Sequence, residues 1–85
     1  MKLKDKIDKL KNGYYIGYSE ISYTRRIFLY VPDGSNWIDS LNIKEFESLL
    51  SKGFIKLESK DDSPMIHPNR TIQRDVRKYV YNDAS

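Results

Sequence analysis

Tyr14-Tyr15-Ile16-Gly17-Tyr18-Ser19-Glu20-Ile21-Ser22-Tyr23-Thr24-Arg25-Arg26-Ile27-Phe28-Leu29-Tyr30-Val31 is the stretch on which the fold turns. It is dense in aromatic and β-branched residues, which suit a pleated, half-buried surface. Residues Tyr14–Glu20 predict one strand and Arg26–Val31 a second, with a turn over Ser22–Arg25. Side chains alternate across a strand, so Tyr14, Ile16 and Tyr18 share one face and Tyr15, Gly17 and Ser19 the other. In the second strand Phe28 and Tyr30 share a face with Arg26, while Ile27, Leu29 and Val31 read as core. Adjacent Tyr14 and Tyr15 cannot both be interior if one face of the sheet is open.

Pro32-Asp33-Gly34-Ser35 follows as a turn, because Pro and Asp preset it and Gly accepts positive φ. Asn36–Asp39, centred on Trp37 and Ile38, predicts a short third strand, and the three strands form an antiparallel meander. Upstream, Leu3, Ile7 and Leu10 recur at helical spacing, and Asn12-Gly13 stops that helix. Downstream, Asn42 with Glu45 three residues on is a capping box that opens a helix. Ile43, Phe46, Leu49 and Leu50 form its apolar face and Gly53 ends it. Phe54–Glu58 predicts a fourth strand. Ser59-Lys60-Asp61-Asp62-Ser63-Pro64 is polar and rich in breakers, so residues 59–69 read as a mobile loop. Pro68-Asn69 opens an expected last helix, in which Ile72, Val76, Tyr79 and Val80 share a face. Residues 82–85 are expected to fray. The chain reads as a single α+β domain: an antiparallel three- to four-stranded sheet with flanking helices, in the order α-β-β-β-α-β-α.

The composition bounds the function. Eighty-five residues with 39% hydrophobic and 32% charged content make one small globular domain with a large relative surface. The chain has no cysteine, which excludes a disulfide framework and cysteine-based zinc sites. The first residues lack the apolar core of a signal peptide and no apolar run spans a bilayer, so a cytoplasmic protein with no membrane partner is expected. The net charge of +3 is unevenly spread. Lys2, Lys4, Lys6, Lys9 and Lys11 outweigh Asp5 and Asp8 at one end, and Arg70, Arg74, Arg77 and Lys78 outweigh Asp75 near the other. That asymmetry suits a phosphate backbone or an acidic protein surface, and a solvated lysine-rich surface is the plainer alternative.

Two features carry candidate binding chemistry. In the first, Tyr14, Tyr18, Tyr23 and Tyr30, with Arg25 and Arg26, present a Tyr/Arg sheet to bases or to a partner protein. In the second, Arg70, Arg74 and Arg77 follow at steps of four and three along the expected last helix, with Lys78 beside them, and grip phosphates or carboxylates. The alternative for the second is a solvated face with local ion pairs. Catalysis finds no support. His67 with Asp61 and Asp62 does not have metal-ligand spacing, Ser19, Ser22 and Ser63 have no positioned base, and no glycine-rich phosphate loop is present. No cofactor or metal is expected.

The lysine-rich first helix closed by Lys11-Asn12-Gly13, the meander with its Asp33-Gly34 turn, and the Ile43–Leu50 helix resemble the α-β-β-β-α layout of small phage anti-CRISPR proteins that block Cas9. The likeness covers roughly the first 53 residues. It implies a stoichiometric inhibitor acting on a host protein or ribonucleoprotein complex. In that family an acidic surface stands in for DNA, whereas this chain is basic at both ends, so a different contact is expected. A three-stranded sheet beside a helix is also similar to phage-integrase arm-binding domains, which read DNA with the sheet. The expectation is a non-enzymatic phage or mobile-element inhibitor docking on a host nucleic-acid-processing complex, with direct DNA or RNA binding by a small regulator as the alternative.

Overall fold

The computed structural model describes residues 1–83, and of His67 the backbone alone. The elements in chain order are α1 (Leu3–Lys11), β1 (Tyr15–Ile21), β2 (Thr24–Tyr30), β3 (Trp37–Ser40), α2 (Ile43–Ser51), β4 (Ile55–Asp61), β5 (Met65–His67), β6 (Arg70–Ile72) and β7 (Arg74–Tyr81). The α+β class and the opening α-β-β-β-α-β order are as the sequence predicts. Five strands form one antiparallel sheet in the order β3-β2-β1-β7-β4, and β5 and β6 pair as a separate hairpin.

Both helices are delimited by local chemistry. Asn42 Oδ1 accepts the Glu45 amide at 2.8 Å, and Glu45 Oε1 accepts the Asn42 amide at 3.2 Å, completing the capping box at the start of α2. Each helix ends in the same way. The Gly13 and Tyr14 amides donate to the carbonyls of Leu10 and Lys9, and the Gly53 and Phe54 amides to those of Leu50 and Leu49. These are Schellman closures, with Gly13 at φ 94° and Gly53 at φ 76°, where a Cβ would be strained. The apolar stripes of α1 and α2 then cover one face of the sheet. Leu10, Phe46 and Leu49 meet Ile16, Leu29 and Tyr79 in the core.

Lys6 departs from the lysine-decorated surface expected of α1. Position 6 falls on the same side of the helix as Leu3, Ile7 and Leu10, and the residue is 4% exposed. Its ammonium donates to Ser40 O at 2.8 Å and to Glu45 Oε1 at 3.1 Å, and Asp39 Oδ2 lies 3.8 Å away. One buried cation thus ties α1 to β3 and α2. The Ser40 amide, together with that cation, holds the Asp39 carboxyl below the usual carboxylate range.

The expected last helix is overturned. Residues Arg70–Ile72 and Arg74–Tyr81 are strands, and β7 lies in the middle of the sheet between β1 and β4. Ile16 faces Tyr79 on one side of β7 and Leu57 faces it on the other. The helical spacing of Ile72, Val76, Tyr79 and Val80 is real, but Val76, Tyr79, Val80 and Tyr81 are β-branched or aromatic residues that favour a strand. The inner edges of β1 and β4 both need hydrogen-bond partners, which a strand supplies and a helix does not. The sheet therefore has five strands rather than three or four. The expected 59–69 loop is shortened too: Ser59, Lys60 and Asp61 pair with Lys78, Arg77 and Val76 as the end of β4, and residues 65–67 form β5. Of the segment expected to fray, the Asn82 amide donates to Phe54 O at 2.8 Å. Ala84 and Ser85 lie outside the described residues.

Candidate interaction surface

Alternation assigns the aromatic residues of the meander to two faces. Tyr18 is core: 7% exposed, it stacks on Phe46 at 5.4 Å and donates from its hydroxyl to Glu20 Oε2 at 2.7 Å. Burial, with that hydrogen bond to a carboxylate, pushes the phenol pKa up. Tyr14 packs half-buried against the same core beneath Lys9. These two rings leave the expected binding set. Tyr30 stays in it, on the face that the helices leave open.

On that open face the rings form a row across three strands. Trp37 on β3 stacks on Phe28 at 4.5 Å and 11°. Phe28 meets Tyr30 edge-on at 6.4 Å, and Tyr30 stacks on Tyr15 at 5.3 Å and 12°. The row ends with the Lys78 ammonium 4.4 Å from the Tyr15 ring centre. Gly17 makes the row possible, because a Cβ there would lie 2.5 Å from Tyr30 Cε2. The small side chains of Gly17, Ser19 and Val76 leave a groove of about 410 Å³ between Tyr15 and Tyr30 on one side and Lys60 and Asp61 on the other. The sequence pattern groups Tyr15 with Gly17 and Ser19, and Phe28 with Tyr30, but neither Tyr15 nor Phe28 is among the expected binding residues. Trp37 was legible only as a strand residue, although a half-exposed Trp (48%) next to an alternating aromatic strand is a signal for this surface.

The arginine stripe is dispersed. With β7 a strand, Arg74 and Arg77 point to opposite faces, and Arg70 sits on the β5–β6 hairpin. Arg74 donates to Asp61 Oδ2 at 2.7 Å and to Ser63 O at 2.8 Å. Arg77 chelates Asp75 through Nε and Nη2, stacks 5.1 Å over Tyr18 and donates to the Tyr79 hydroxyl at 3.2 Å. The Arg77 hydrogen bonds hold the Asp75 carboxyl low, and Asp75 raises the guanidinium pKa further. Lys78 pairs with Glu58 at 3.0 Å. These cations serve the fold first. Arg74→Glu combined with Arg77→Glu is accordingly expected to lower the thermal midpoint by several degrees, equivalent to about 2 kcal/mol for this small domain; an unchanged midpoint by calorimetry contradicts the pairing.

Tyr23, Arg25 and Arg26 lie at the far end of the sheet. The β1–β2 connection is a two-residue turn closed by the pair Ile21 and Thr24, with Ser22 at φ 51° and Tyr23 at φ 75°. Two positive φ values define a turn that favours Asn-Gly. A side-chain-bearing residue there costs about 1 kcal/mol or more. Tyr23 is fully exposed (103%). Beside the turn, a cleft of about 480 Å³ separates Tyr23 from Arg70, Thr71, Gln73 and Arg74, with Glu20 and Asp75 also lining it.

Asp61 is engaged by Arg74 and by the Ser63 amide. Among the described residues no group of three or more His, Asp or Glu gathers. No helix among them is long and apolar enough to cross a membrane. In comparison with known proteins, the chain matches no family model, no curated protein and no solved structure at a significant level.

Proposed function

We propose that the chain is a non-enzymatic binding module whose open sheet face docks on a protein of a host nucleic-acid-processing or defence complex. In this it would act as the small phage inhibitors do that its first 53 residues resemble. The observation carrying the reading is the row Trp37-Phe28-Tyr30-Tyr15 on the face opposite both helices. Trp37 and Phe28 cover one face of each other, as do Tyr15 and Tyr30, and Lys78 lies over Tyr15, so apart from the outer face of Trp37 the row offers ring edges and a groove. Most of the cations that frame it carry their own carboxylates: Lys78 has Glu58, Lys60 has Asp62 and Arg74 has Asp61, and Arg26, opposite Ser19 on this face, is the exception. A surface of aromatic anchors with internally balanced charge suits a protein partner better than a phosphate backbone.

Affinity capture from host extract, with and without nuclease, tests this. The partner is expected to survive nuclease and high salt, and to be lost with Trp37→Ala. That substitution removes an edge-strand ring and costs about 1 kcal/mol of stability, so the variant stays folded. Capture abolished by nuclease, or indifferent to Trp37→Ala, overturns the proposal.

A further inference from the structure

The tip formed by the β1–β2 turn and the β5–β6 hairpin has a character opposite to that of the ring row. Arg25, Arg26 and Arg70 are exposed. Among the described residues no carboxylate lies within 4.0 Å of any of the three. Arg74, Arg77 and Lys78 by contrast each hold one. With those pairs cancelled, the tip keeps three guanidinium groups against Glu20, whose carboxylate accepts the Tyr18 hydroxyl. Tyr23 projects beside them with both ring faces free of any aromatic or cationic partner among the described residues, and the backbone beneath it is held at positive φ. A turn selected for stability alone would carry Asn-Gly at Ser22-Tyr23. Retaining Tyr at a strained, solvent-facing position fits a use outside the chain.

We infer that this tip is a single-stranded nucleic-acid contact, in which Tyr23 stacks on an unpaired base, Arg70 across the cleft holds one adjacent phosphate, and Arg25 and Arg26, which alternate onto opposite faces of β2, hold phosphates on either side of the sheet end. Guanidinium groups match phosphate oxygens bidentately. A free aromatic face is the platform that unstacked bases use, and it is sequence-tolerant because every base has a π-face. A duplex keeps its bases stacked inside and would engage the arginines alone. The inference is centred on Tyr23, about 26 Å along β1 from Tyr15, with Arg26 standing between them on the open face opposite Ser19, and it does not rest on the proposed protein docking.

Fluorescence anisotropy of the whole chain with labelled mixed-sequence single-stranded DNA and RNA is the test, with a duplex and poly-glutamate as competitors. Single strands are expected to bind at low salt. Three phosphate contacts give a log K against log salt slope of about −2, so affinity falls about twentyfold between 50 and 200 mM salt. Tyr23→Ala weakens binding about tenfold. Arg25→Ala with Arg26→Ala brings the slope to about −0.7, and Trp37→Ala leaves both affinity and slope unchanged. Ser22→Asn with Tyr23→Gly installs the favoured turn, so it is expected to raise the thermal midpoint and lose the same binding as Tyr23→Ala. No binding at low salt overturns the inference. So does a duplex preferred over single strands, displacement by poly-glutamate at equal charge, or affinity that ignores Tyr23. Failure of the protein capture described above would leave these results untouched.

Discussion

Lys6→Met is expected to destabilise the domain by about 3 kcal/mol, read as a fall in the urea midpoint at unchanged slope. The substitution keeps most of the aliphatic stem and removes the ammonium that bonds Ser40 O and Glu45 Oε1 and sits 3.8 Å from Asp39 Oδ2. Removing one partner of a buried ion pair leaves its counter-charge, here Glu45, uncompensated, at a cost of about 3–5 kcal/mol, while Asp39 keeps the Met1 ammonium at 3.4 Å. The lower end applies because Asp39 and Glu45 keep 27% and 24% of their side-chain surface in water. Against a total stability of about 5–15 kcal/mol, that loss is large. Lys6→Met combined with Glu45→Gln should recover part of it, since both halves of the pair are then neutral, and the cycle isolates the coupling. A single-mutant loss below about 1 kcal/mol, the range of exposed pairs, would mean that the ammonium is solvated and α1 is docked by its apolar stripe alone.

The second large effect is expected from Gly17→Val. Any Cβ at this position meets Tyr30 Cε2 at 2.5 Å and Cδ2 at 3.0 Å. The obstacle is a side chain on the open face, so the ring can swing away without moving the backbone. Doing so forfeits its stack on Tyr15 and its edge contact with Phe28. Those contacts are worth about 0.5–1.5 kcal/mol each, and the β-branched valine returns part of the cost because it favours a strand. A net loss of about 1–2 kcal/mol of stability is expected, together with loss of the captured partner, because the row is then broken at its centre. Full stability with intact capture would show that the row has no role in docking. The oligonucleotide affinity of the tip should not change, which separates the two surfaces in one variant.

The parts of the fold that were legible in the sequence are those written in local chemistry. Leu3, Ile7 and Leu10 gave α1 and Asn42 with Glu45 gave the start of α2, because caps and helical stripes involve residues three or four apart. Alternation in Tyr14–Val31 grouped the side chains within each strand, Ile16 with Tyr18 and Phe28 with Tyr30, but which group lies under the helices came only with the register and the packing. The candidate set nonetheless pooled tyrosines from both faces, and so mixed a core ring with surface ones. The tip residues Tyr23, Arg25, Arg26 and Arg70 were visible as residue types. Their shared location was not, because it depends on β5–β6 returning beside the β1–β2 turn, where the Ser22 amide donates to Gln73 O at 3.3 Å.

By itself, then, the sequence determined two capped helices, an antiparallel meander and a Tyr-rich sheet with more rings than one face can bury. Tertiary structure decided the state of Arg70–Tyr81, whose apolar residues have helical spacing but strand-favouring side chains. The open backbone edges of β1 and β4 resolved that ambiguity by hydrogen bonding to it from both sides. The same event set the electrostatics: once β7 was extended, Arg74 and Arg77 turned to opposite faces and met Asp61 and Asp75, while Arg25, Arg26 and Arg70 have no carboxylate within 4.0 Å among the described residues. Periodicity is a property of a segment, but which charges end up paired depends on neighbours distant in sequence.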